Sequence, residues 1–143
     1  MKYTVETKIN AQIEKVAQIL AHPEQRLKWF KNISKYQLIK GRQGQVGAKA
    51  HLWINILGER EVTETILAVD YPYHFTVLYE MPEGKLKLDG KLKAPDRAHT
   101  IYTLEHQFTF NGFLTSIGVL MKSGFKKQSE AIMLIFKKEV EKL

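Results

Sequence analysis

The stretch HTIYTLEHQFTFNGFLTSIGVLMKSGFKKQSEAIMLIFKKEVEKL, residues 99–143, changes its hydrophobic period once, and that change decides the fold. Up to Phe110 the period is two: Tyr102, Leu104, His106 and Phe108 share one side of a strand. After Asn111-Gly112 the period becomes helical for about thirty residues. Ile117, Met121, Gly124, Gln128, Ala131, Ile132 and Ile135 then form one stripe, with Lys122, Lys126, Lys127, Lys137 and Lys138 largely off it. A terminal helix of this length, roughly 40 Å at 1.5 Å per residue, has to lie across a sheet to bury such a stripe.

Working towards the amino terminus, period-two segments near 34–40, 47–57, 60–69, 73–81 and 85–93 precede the strand at 99–110. Turn residues separate them: Gly41-Arg42-Gln43-Gly44, Leu57-Gly58-Glu59, Asp70-Tyr71-Pro72, Met81-Pro82-Glu83-Gly84 and Ala94-Pro95-Asp96-Arg97. Connections this short imply an antiparallel meander. Residues 2–9 alternate as a first strand, and Asn10 stands where an N-cap would accept from free helical N–H groups. Ile13, Val16, Ala17 and Leu20 then give one helix face, and Pro23 is placed to open a second short helix running to Trp29-Phe30. The predicted order is strand, two short helices, six strands and one long helix: an α+β chain of about seven strands, read as a single domain over 1–143.

That order carries a resemblance. Ile9-Asn10-Ala11-Gln12-Ile13-Glu14-Lys15-Val16, Leu27-Lys28-Trp29-Phe30, Gly44-Gln45-Val46-Gly47 and Val69-Asp70-Tyr71-Pro72 follow one another at characteristic spacing. Together they resemble the SRPBCC superfamily, the helix-grip fold of START-related lipid-transfer domains, plant pathogenesis-related allergens and polyketide cyclases. The resemblance covers essentially the whole chain. It implies a curved antiparallel sheet gripping the C-terminal helix around an internal cavity, and it leaves the chemistry open, because fold does not dictate function.

Composition narrows the field. The 143 residues include no cysteine, which excludes disulfides, thiolate metal sites and a cysteine nucleophile. The longest apolar run, Ala131 to Phe136, is too short to span a bilayer, and the amino terminus lacks a signal-peptide core. A soluble cytoplasmic protein is the expectation. The net charge of +7 is spread along the chain and accompanies no nucleic-acid motif, so no nucleic-acid partner is expected. Lys85, Lys87, Lys91 and Lys93 alternate with leucines and an aspartate–glycine pair, the pattern of a solvated strand face, and would add transient attraction to an anionic membrane surface. The five histidines lack metal-ligand spacing, and there is no phosphate-cradling loop or nucleophile elbow. No metal and no cofactor are expected.

Alternation assigns the inner face of the sheet. Leu52, Ile54, Val62 and Ile66 fall there on the early strands, with Phe75, Val77 and Tyr79 next. Leu88, Tyr102, Leu104 and Phe108 complete it on the last two. The helix stripe would contribute Ile117, Met121, Gly124 and Gln128, and the indole of Trp29 would stand at the cavity entrance as in the family it resembles. Trp53 falls on the convex side. Alternation also turns Glu64 and His106 inward, where a carboxylate and an imidazole could form a charge-assisted pair or an acid–base couple.

Three readings follow. The first is a binder or carrier of a small hydrophobic molecule: a lipid, an isoprenoid or a polyketide-like aromatic. The second is a cyclase- or dehydratase-like enzyme using Glu64 and His106. The third is an interaction module whose cavity is filled by its own side chains.

Overall fold

A computed structural model describes residues 1–55, 58–112 and 121–143. Seven strands form one antiparallel sheet: β1 (Lys2–Ile9), β2 (Ile33–Lys40), β3 (Lys49–Asn55), β4 (Glu59–Asp70), β5 (His74–Met81), β6 (Gly84–Asp96) and β7 (His99–Phe110). Their order is β1-β7-β6-β5-β4-β3-β2. The meander from β2 to β7 lies in chain order, and β1 returns to pair with β7, with Val5 opposite Leu104 and Tyr3 opposite His106. Between β1 and β2 run α1 (Ile13–Leu20), a 3-10 turn at Pro23–Gln25 and the short α2 (Arg26–Trp29). Helix α3 (Lys122–Lys142) closes the concave face. The chain has the helix-grip fold. No helix among the described residues is long and apolar enough to cross a membrane.

The core sits where β1, α1 and the end of α3 meet, around Ile9, Val16 and Val140, each buried to 0% exposure. Helix α1 buries Ile13, Val16 and Ala17, one face of a 3.6-residue period. Its N-cap is Gln12 rather than Asn10, and no side chain caps it. Asn10 serves the opposite end of the chain, its backbone N–H donating to Glu141 Oε2 at 3.0 Å. Pro23 does open the 3-10 turn, where its missing N–H costs nothing. Strand β6 runs on through Pro95 to Asp96, so the predicted break there is a two-residue turn.

Helix α3 differs from its predicted orientation. Its buried residues are Met133, Phe136 and Val140, while Met121, Gly124, Ala131 and Ile135 are exposed. Ile117 lies outside the described residues. The six apolar residues in a row from Ala131 to Phe136 cover every side of the helix, so periodicity leaves its rotation undetermined. Aromatic volume settles it. Phe136 packs on Tyr102 and Trp29 at ring-centroid distances of 5.4 and 5.7 Å, and Phe125 packs on Phe108 at 5.2 Å.

The glycines divide accordingly. A Cβ at Gly124 would meet nothing within 4 Å, whereas one at Gly90 would fall 2.2 Å from the Phe75 ring. Gly90→Ala is therefore expected to destabilise the protein by about 1–3 kcal/mol through overpacking. Gly124→Ala, at an open helical position, is expected to be neutral or stabilising by up to about 1 kcal/mol. Urea unfolding of the two variants checks both signs.

Candidate functional site

Sheet, short helices and α3 enclose a cavity of about 380 Å³. Its walls are mostly apolar: Leu52, Ile54 and Val62 from β3 and β4, Phe75, Val77 and Leu88 from β5 and β6, Leu104 and Phe108 from β7. Trp29 lines it from α2, Gln128 from α3, and Tyr79 and Tyr102 from the sheet. Glu64 and His106 both face it. Met121 and Gly124 do not, for the reason of helix rotation given above.

The register explains the polar end. Glu64 on β4 stands directly opposite Tyr79 on β5, close enough for cross-strand contact. The Tyr79 hydroxyl donates to Glu64 Oε2 at 2.5 Å. Arg26, from the first turn of α2, reaches down onto the same carboxylate and donates to both its oxygens at 2.8 Å. It also donates to the Tyr79 hydroxyl at 3.2 Å and, through Nε, to the Pro23 carbonyl at 2.8 Å. The Glu64 side chain is 4% exposed and that of Arg26 17%. Such a bidentate fork is the strong form of an ion pair. Burial works against the guanidinium charge, but the attraction of Glu64 outweighs it and holds the Arg26 pKa above its ordinary value. Burial first, and then the Glu64 charge, drive the Tyr79 phenol upward, and the same two causes push Tyr36 and Tyr71 up to about 12.

His106 takes no part in this network. It lies three strands from Glu64, roughly 14 Å along the sheet at 4.8 Å per strand. The anticipated Glu64–His106 pair is replaced by Glu64–Arg26, and the imidazole stands apart. His106 stacks on Tyr3 with centroids 4.5 Å apart, and its Nδ1 lies 3.3 Å from the Leu104 carbonyl oxygen. A carbonyl only accepts, so the proton sits on Nδ1 and Nε2 keeps its lone pair. Burial lowers the His106 pKa to about 4, and the ring is neutral at physiological pH.

Several lining residues were not singled out from sequence. Arg26 is one: a buried Glu64 requires a cation, but any of 22 lysines and arginines could have supplied it. Tyr3, hydrogen-bonded to Ser129 Oγ at 2.7 Å, and the aromatic pair Phe125 and Phe136 are others. At the rim Arg60 is ion-paired with Glu83.

Comparison with known proteins agrees with this architecture. A family model described as polyketide cyclase/dehydrase and lipid transport matches residues 1–141. A START superfamily protein from Mycobacterium smegmatis superposes with a TM-score of 0.84 at 11% identity, over 99% of this chain and 97% of that one. The Zhui aromatase/cyclase from a Streptomyces species gives 0.82 at 14% identity, over 99% and 93%. Norcoclaurine synthase from Thalictrum flavum, in complex with dopamine and hydroxybenzaldehyde, gives 0.76 at 15% identity, over 99% and 87%. No curated protein matches the sequence. At these identities the likeness to solved structures concerns the fold alone.

Proposed function

The chain belongs to the polyketide cyclase/dehydrase and lipid-transport family, and from that premise we propose that it binds a small hydrophobic molecule in the internal cavity without transforming it. One observation carries this reading: a hollow of about 380 Å³, walled by aliphatic and aromatic side chains, whose ionised groups neutralise one another. That volume falls within the range of small-molecule pockets. A vestigial cavity would be filled by its own side chains, and this one is open.

The cyclase- or dehydratase-like alternative needs Glu64 and His106 to exchange protons with one substrate. Glu64 accepts three hydrogen bonds and is matched by a full positive charge. His106 has no carboxylate to orient it, so the acid–base reading loses its couple. The candidate ligand, a lipid, isoprenoid or polyketide-like aromatic, would be taken up in the cytoplasm. Lys85, Lys87, Lys91 and Lys93, all exposed, would favour brief contact with an anionic membrane during exchange.

Trp29 lines the cavity and Trp53 does not, which makes the indole a reporter. In a Trp53→Phe background, titration with a panel of lipids and aromatic alcohols is expected to change Trp29 emission saturably. Native mass spectrometry of freshly purified protein is expected to show a retained organic adduct. A clean apo mass, with emission unmoved by the whole panel, would refute the reading.

A further inference from the structure

The cavity's charges and its uncommitted polar atoms together restrict what it can hold, given the ligand-binding reading above. Every ionised side chain among the described lining residues has an opposite partner: Arg26 with Glu64, Arg60 with Glu83. Arg60 at the rim is already engaged by Glu83, and an anionic head carried to the buried end would meet no free cation there or would have to displace Glu64 from a bidentate guanidinium. Either way a buried charge is left uncompensated.

Of the polar atoms left over, Glu83 Oε2 belongs to a carboxylate already paired with Arg60 through Oε1 and would itself repel an anion, and two others are uncharged. His106 and Tyr102 are each only 5% exposed as residues, yet His106 Nε2 and the Tyr102 hydroxyl have no hydrogen-bond partner among the described residues. Both line the cavity. Neither atom is among the fully buried ones, so both are reachable from the cavity, where a ligand's polar group can take the place of water. With the proton on Nδ1, Nε2 is an acceptor held in place by the Tyr3 stack, and a lone pair repels an anion while receiving an O–H or N–H.

We infer that the cavity selects uncharged amphipathic molecules bearing a hydroxyl or N–H group, which His106 Nε2 receives, over carboxylates of the same size. His106 is then a specificity-determining residue, and the Tyr102 hydroxyl offers a second uncharged contact further along β7.

Three probes built on a ten-carbon chain test this at pH 7.5 on the full chain carrying Trp53→Phe, with Trp29 emission as readout: 1-decanol, 1-methoxydecane and decanoate. Decanol is expected to bind about tenfold more tightly than 1-methoxydecane, which lacks the O–H, and at least about tenfold more tightly than decanoate. His106→Leu in the same background is expected to bring decanol down to the level of 1-methoxydecane and to leave the latter unchanged. Decanoate binding as tightly as decanol would overturn the inference while leaving the ligand-binding reading standing. Decanol and 1-methoxydecane binding alike to the unsubstituted cavity would remove His106 as the acceptor. Silence from all three probes would overturn this inference, and the ligand-binding reading falls with it only if the wider panel and the native mass are silent too. The comparison of the three probes on the parent protein decides the matter even where His106→Leu does not fold.

Discussion

Arg26→Ala is expected to destabilise the protein by about 3–5 kcal/mol, the usual consequence of breaking a buried ion pair from one side. The guanidinium supplies two of the three hydrogen bonds that Glu64 accepts, and the carboxylate, 4% exposed with Arg26 in place, would be left with only the Tyr79 hydroxyl against it. A domain of ordinary stability has about 5–15 kcal/mol in total, so the loss would be plain in urea unfolding at neutral pH. The cause can be separated from packing. Combining Arg26→Met, Glu64→Leu and Tyr79→Phe removes the charge, its partner and the hydroxyl together, and is expected to recover most of the stability, because apolar replacements of similar volume leave nothing unpaired. Arg26→Lys keeps the charge but loses the planar fork and should fall between the two. A loss below about 1 kcal/mol for Arg26→Ala would mean that water reaches the carboxylate, as at an exposed pair. The pair also joins α2 to the middle of the sheet across 38 residues of chain, so its removal is expected to loosen one wall of the cavity.

Acid should expose the second strong effect. In the unfolded chain His106 takes a proton near pH 6.5, but in the folded protein burial holds it back until about pH 4. The unfolded state therefore binds the extra proton first, and stability that is fully present above pH 6.5 drains away as the pH falls towards 4. A gap of this size corresponds to about 3 kcal/mol. His106→Phe keeps a ring against Tyr3 and cannot titrate. Its stability is expected to fall less than the parent's between pH 7 and 4 by that amount, measured as the difference between two urea series. Carboxylates held low by hydrogen bonds, Asp96 from the Ala98 N–H and Glu141 from the Asn10 N–H, act alike in both proteins and cancel in the difference. Parallel pH profiles would show that the imidazole is hydrated rather than desolvated.

Much of this protein was legible without coordinates. Strand alternation placed Glu64, Tyr79, Tyr102, Leu104, His106 and Phe108 on the cavity side, and they all line it. A sheet with one buried face leaves no alternative once the register is set, since a slip of one residue would turn every apolar side chain outward. Turn residues marked the hairpins, and the shift of period at Asn111-Gly112 announced a helix, of which Lys122–Lys142 is described. The same order of elements, with its local motifs, carried the resemblance to the family, and the match of the family model over residues 1–141 shows the membership.

Rotation, pairing and emptiness were not legible. The apolar run at Ala131–Phe136 allowed α3 several faces, and contact with Trp29, Tyr102 and Phe108 chose the one that turns Gly124 and Met121 to solvent. Glu64 and His106 share a face yet stand three strands apart, and the carboxylate's true partner comes from a four-residue helix. Local periodicity determines which way each side chain points, because it depends only on the backbone repeat. Which groups meet, and how much space they leave between them, depends on the sum of volumes and approaches across the whole molecule, and only the tertiary structure performs that sum.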